Sequence, residues 1–201
     1  MPDGAATLGS ARPSVVDASH PEDHEYMNVF TRLSLLAVMV MAAVAPAFAQ
    51  ATIHGDLTKD WAGQKALLVG LANAMPEDKY GFKPTPAQRT FGEHVLHIAE
   101  VNLMLTKALG GKTPDPAVNL KATTKAAMVK AMSDAFDHGA AVIAEFNNTT
   151  IQETIQAPFM GPSTRARVMF FLNGHTQDTY GQMVVYLRLN GLTPPASAPR
   201  P

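Results

Sequence analysis

The sequence predicts an all-α fold, a four-helix bundle preceded by a signal peptide and followed by a Pro-rich C-terminal tail. Three observations predict it. Four stretches of about 20 residues each carry apolar side chains at helical spacing. Each stretch ends at a helix-stop pair: Met75-Pro76, Gly110-Gly111, Asn147-Asn148 and Asn190-Gly191. Four apolar stripes of that length can be hidden only by packing the helices on one another.

Residues 1–26 mix Pro, Gly, Ser, Asp and His without an apolar period and read as a disordered leader or a mis-assigned start. Residues 27–49 differ in kind. Arg32 supplies a charge, Leu33 to Val44 is almost unbroken apolar sequence, and Ala47-Phe48-Ala49 has the small-residue spacing that a signal peptidase cuts. The apolar stretch is shorter than the roughly 20 residues of a membrane-spanning helix, so cleavage and no stable membrane insertion are expected. The protein is then exported, periplasmic or secreted. A signal peptide rarely follows a long acidic leader, so of the two candidate starts, Met1 and Met27, Met27 is favoured; His20 and His24 then carry no function.

The folded domain is expected over residues 50–192. Its first helix, near 55–75, shows Leu57, Trp61, Leu68, Leu71 and Met75 on one side. Glu77 to Arg89 holds two prolines and a glycine and reads as a long ordered loop. Thr90 caps the second helix, near 90–110, with Glu93 as its capping-box partner. A Pro-containing connection from Lys112 to Leu120 leads to the third helix, near 123–146, with Met128, Met132, Ala135, Phe136, Ile143 and Phe146 on one face. Thr150 to Pro158 alternates weakly and suggests a short extended piece. The fourth helix, near 163–190, begins at Gly161-Pro162-Ser163. Residues 193–201 contain four prolines and are expected to be a disordered tail.

Composition narrows the chemistry. There are 16 basic and 17 acidic residues, a formal net charge of −1, so nothing favours binding to nucleic acid. No cysteine is present, which excludes disulfides, Cys-ligated metals and a protein thiol nucleophile. No Gly-rich phosphate loop and no Ser–His–Asp signature occur. What remains is histidine. His54 precedes the first helix and reads as solvated, and His138 beside Asp137 reads as a surface residue. His97 shares a line with Val101, Met104 and Ala108. His175 shares one with Val168, Phe171, Leu172, Thr179, Gln182, Tyr186 and Leu189. Periodicity alone favours a buried histidine bonded to a backbone carbonyl or a neighbouring Gln. One inward histidine on each of two facing helices is also how bundles build metal sites.

Three stretches carry a family resemblance: Met75-Pro-Glu-Asp-Lys-Tyr-Gly-Phe-Lys-Pro-Thr, Thr90-Phe-Gly-Glu-His-Val-Leu-His-Ile-Ala-Glu, and the run from His175 through Asp178, Gln182 and Tyr186 to Gly191. Over about residues 55–195 the chain resembles the DinB-like superfamily of four-helix-bundle metalloproteins, and within it the exported bacterial branch. The resemblance implies a divalent metal, zinc or nickel, held by one histidine on the second helix and an H-x3-H pair on the fourth. His97 and His175 match two of these positions. Thr179 stands at the third, a departure, since a neutral hydroxyl is a poor ligand. Asp178 and His94 are the nearest substitutes, and Gln182 is placed in the pocket with a held water. Relatives include transferases that use low-molecular-weight thiols and an isomerase of the maleylpyruvate type.

Two readings follow. The first is a divalent-metal-dependent transferase or hydrolase with an incomplete histidine site. The second is a non-catalytic bundle of the cell envelope that binds a small ligand or a partner. Both take a small molecule as the natural occupant, and a homodimer is compatible with either.

Overall fold

The computed structural model describes residues 51–199. The leader and the signal peptide, residues 1–49, lie outside the described residues. Four long helices form: α1 (Ile53–Ala74), α2 (Phe91–Ala108), α3 (Lys125–Ala144) and α4 (Arg165–Leu189). Local chemistry sets their starts. Thr52, Thr90, Thr124 and Thr164 are the four N-caps, and each hydroxyl accepts from a backbone N–H of the first turn. At Thr90 the capping box is complete, because the Glu93 carboxylate also accepts from the Thr90 N–H at 2.6 Å.

Cross-helix contacts fix the directions. The indole N–H of Trp61 donates to the Phe136 carbonyl (2.8 Å) and His54 Nε2 meets the Ile143 carbonyl, so α1 and α3 are antiparallel. Arg165 reaches the Leu109 carbonyl and Tyr186 the Arg89 carbonyl, so α2 and α4 are antiparallel as well. Gly92 lies against Met128 and Thr106 against Gly139, which makes α2 and α3 parallel neighbours. The Gln64 amide donates to the Asn173 carbonyl at the shared level of α1 and α4, which are also parallel. The bundle is therefore up-down-down-up. Parallel neighbours need a long crossover, and residues 109–124 supply it. Glu145 holds that crossover by accepting from the N–H groups of Lys112 (2.6 Å) and Thr113 (2.7 Å) and from the Thr113 hydroxyl.

The core is built from the predicted stripes of the first and third helices, with Leu57, Trp61, Leu68 and Leu71 on α1 and Met132, Ala135, Phe136 and Ile143 on α3 all buried, whereas on α2 the buried face runs through Val95, Ile98, Val101 and Leu105 and leaves Met104 exposed. Several expectations are corrected. The fourth helix starts at Arg165 rather than near 163, because residues 161–164 form a strand. Gly161–Thr164 pairs antiparallel with Thr154–Ala157 in a hairpin that covers one end of the bundle. The buried stripe of α4 runs through Val168, Met169, Leu172, Thr176, Thr179, Met183 and Leu187. Phe171 and Leu189, assigned inward from periodicity, are 46% and 58% exposed. In this 25-residue helix the apolar side chains cluster in runs such as Val168–Leu172 and Met183–Val185 that span more than one face, so pattern leaves its rotation poorly determined.

His54 lies inside α1, half-buried and bonded, rather than ahead of it in solvent. His138 is buried at 6% exposure, not on the surface. It falls next to Gly139, where α3 approaches α1 and α2 most closely. The tail from Thr193 carries a 3-10 turn at Pro195–Ser197 that packs on α1, and Pro194 is buried. Among the described residues no helix is long and apolar enough to cross a membrane.

Candidate functional site

The first turns of α2 and the middle of α4 bring His97 and His175 together. Their Nε2 atoms are 3.1 Å apart, with the rings tilted by 66°. Both side chains are half-buried, because they sit at the edge of their helices' apolar stripes rather than at the bundle centre. His94, one turn earlier on α2, is deeper at 3% exposure. It faces Tyr186, with Nε2 3.2 Å from the phenol oxygen, and Tyr186 in turn donates to the Arg89 carbonyl at 2.8 Å. Tyr186 spends its only proton on that carbonyl, so His94 must be the donor in the first contact and carries its proton on Nε2.

The same reasoning assigns the proton between His97 and His175. The Nδ1 of His175 is buried with no partner among the described residues, as is that of His94. A buried N–H without an acceptor is the costlier defect. His175 therefore holds its proton on Nε2 and donates it to Nε2 of His97, and His97 carries its own proton on Nδ1.

These tautomers test the site against a divalent ion. An ion shared by the two rings needs both Nε2 lone pairs, which forces the His175 proton onto Nδ1, where nothing accepts it. Metal-bound imidazoles ordinarily donate that second N–H to a carboxylate or carbonyl. The third position is no better. Thr179 is buried at 3% exposure, and its hydroxyl donates back to the His175 carbonyl at 3.0 Å. Asp178 is exposed and accepts from the Gln182 amide at 2.8 Å, and Gln182 is exposed too, so neither enters the pocket. His94 is committed to Tyr186. No group of three His, Cys, Asp or Glu side chains able to hold a metal occurs among the described residues. The donor set does not fit a three-ligand metal centre.

His97 also lines an open groove of about 730 Å³ on the outer face of α2. Leu96, His97 and Glu100 form one wall. The loop before α2 contributes Lys83 and Arg89, and the crossover contributes Leu120 and Lys121. Sequence reasoning missed the three cations, because loop lysines and arginines carry no periodic signal and the crossover's path is a tertiary fact.

Burial holds the imidazoles of His94, His97 and His175 below the ordinary histidine range, and the Arg89 guanidinium adds to this at all three, against the opposing pull of Asp178 at His175 and His94, Glu93 at His94 and Glu100 at His97. The unfolded chain binds protons that the folded chain refuses, so stability rises with pH across this range. The contribution is complete above about pH 6.5, the unperturbed value, and is lost as the pH falls toward the folded-state values. The melting temperature should therefore fall on acidification from pH 7 to 5. His97→Gln should flatten that fall; an unchanged slope would contradict the assignment of neutral rings.

With this geometry in place, the similarities to known proteins become informative. A family model described as the DinB superfamily matches residues 61–183. Two solved structures share the fold. A DinB-like protein from Bacillus cereus is 17% identical with a TM-score of 0.59, the alignment covering 69% of this chain and 93% of that one. A DinB-like protein from Bacillus subtilis is 17% identical with a TM-score of 0.57, covering 69% and 94%. At that identity the likeness concerns the fold alone. No curated protein matches the chain.

Proposed function

The chain belongs to the DinB superfamily, and from that premise we propose that it is a small-molecule-binding bundle whose functional centre is the groove beside His97 and His175. The observation that carries this reading is the 3.1 Å contact of the two Nε2 atoms. That contact satisfies the pair through a proton rather than an ion, and it leaves the Nδ1–H of His97 as the pair's remaining donor. A bound molecule would meet a neutral hydrogen-bond donor at the groove wall, with Leu96 and Leu120 as its apolar contacts.

The metal-dependent reading, a transferase or hydrolase, is favoured by one feature. A separation of 3.1 Å is close to that of two imidazole nitrogens on one tetrahedral ion, given bonds of about 2.0–2.1 Å. Zinc titration of untagged protein followed by calorimetry separates the two. Weak, non-stoichiometric binding is expected from two imidazoles without an outer partner. Tight binding of one equivalent, abolished by His97→Ala, would overturn the ligand-binding reading in favour of a metal site.

Export belongs to the same proposal and rests on Arg32, the apolar run from Leu33 to Val44, and Ala47-Phe48-Ala49. N-terminal sequencing of the protein recovered from an expressing bacterium should begin at Gln50 or Ala51. A chain retained in the cytosol with Met1 or Met27 at its start would refute it.

A further inference from the structure

We propose that the occupant of the groove is a small organic anion with an apolar body. Its carboxylate would be held by Arg89, Lys121 and Lys83, and its body would lie against Leu96 and Leu120. This rests on the reading of the groove as the functional centre and adds the charge class of the ligand.

Three observations carry it. The three cations reach one groove from two separate connections, the loop before α2 and the crossover before α3. None of the three is in an ion pair with a described carboxylate, as is also true of Lys112, Lys125, Arg167 and Arg188, but only these three gather at one groove. Lys83 contacts only the nearby Pro86 carbonyl, at 3.3 Å. Two carboxylates also line the groove, and they do not cancel the cations. Glu93, whose carboxylate caps the Thr90 N–H, stays ionised and lies near enough to Lys83 and Arg89 for both to lower its pKa, so three cations less the two carboxylates leave the groove one net positive charge.

The third observation is the proton inventory. His97 accepts from His175, so what it offers on its other nitrogen is an N–H, which joins Lys83, Arg89 and Lys121 as donors facing the two carboxylates and the Gln88 amide. A cationic ligand would meet like charge, and a neutral one would leave the guanidinium and ammonium groups unmatched. Charged partners shorten and strengthen such hydrogen bonds, and a guanidinium suits a carboxylate in particular. The apolar floor at Leu96 and Leu120 favours an organic anion over inorganic phosphate, which would leave those side chains uncovered.

The test uses three probes of one shape and different charge: benzoate, benzamide and benzylamine. Each is titrated into the full chain at low salt and followed by NMR at the Leu96 and Leu120 methyls and the His97 ring. Benzoate should saturate these signals at a concentration about tenfold lower than either other probe, and added salt should weaken benzoate alone. Arg89→Gln should weaken benzoate about fivefold with the melting temperature unchanged, a loss within the range of one partly exposed charge pair. Lys121→Gln should act in the same direction. Equal binding of the three probes, stronger binding of benzylamine, or an unchanged benzoate affinity in Arg89→Gln would overturn the anion assignment while leaving the groove as a ligand site. No response at these signals to any probe would overturn both.

Discussion

Trp61→Ala should destabilise the protein by about 3–5 kcal/mol, the range for emptying a buried tryptophan site, and lower its melting temperature by about 10 °C or more. Trp61 is 2% exposed, its indole N–H is bonded across the bundle, and its ring lies 4.8 Å from that of Phe136. The ring also sits directly over Gly139, where an added Cβ would lie 2.4 Å from Cζ2 and 3.0 Å from Cγ2 of Thr106. An indole pinned on three sides has nowhere to move. Gly139→Ala should therefore cost about 2 kcal/mol in the wild type, an overpacking penalty near the top of the usual range less the gain in helix propensity. In the Trp61→Ala background the indole clash is gone, the close approach to Thr106 Cγ2 can relax into the space the indole leaves, and the gain dominates. There the same substitution should stabilise by about 1 kcal/mol, a coupling of about 3 kcal/mol in a double-mutant cycle. Additive effects on chemical denaturation would mean that the indole does not occupy this place.

Thr179→His should raise zinc affinity about 100-fold over the wild type, the upper end of what one supporting partner contributes at a metal site. Position 179 is one turn beyond His175 and buried, so a new imidazole there approaches the Nε2 pair without backbone change. Overpacking opposes it, since imidazole is larger than the Thr side chain. The missing acceptor at His175 Nδ1 also persists in the variant. Calorimetric titration of both proteins decides. Equal affinities would show that α4 does not present position 179 to the pair.

How much was legible beforehand differs by element. Thr90 with Glu93 announced α2 because a capping box is a local pattern that needs no tertiary help. The stripes of α1 and α3 were clear because their buried positions are strongly apolar. On α4 the buried positions include Asn173, Thr176 and Thr179, while Phe170 and Phe171 face out. Hydrophobicity there gave a line that is half right: Val168, Leu172, Thr179 and Tyr186 are buried, while Phe171, Gln182 and Leu189 on the same line face out. His97 and His175 were read from their helical lines as inward residues of two facing helices, the resemblance added the role of metal ligands, and their rings do meet, at half-buried positions. The charge of the groove was invisible, since Lys83, Arg89 and Lys121 converge only once the crossover is laid across α2.

The up-down-down-up order has a kinetic consequence. In this bundle α1 packs against α3 and α4 but not principally against α2, its successor in the chain. Closing the α1–α4 interface brings together residues as far apart as Gln64 and Asn173. Loop-closure entropy must be met before such contacts stabilise anything, so folding should be slower than in a bundle whose consecutive helices pair. Helix α3 covers part of the apolar faces of α1 and α2, and α4 supplies the remaining cover to both. A chain emerging from the ribosome should therefore keep part of its core uncovered until its last helix is made.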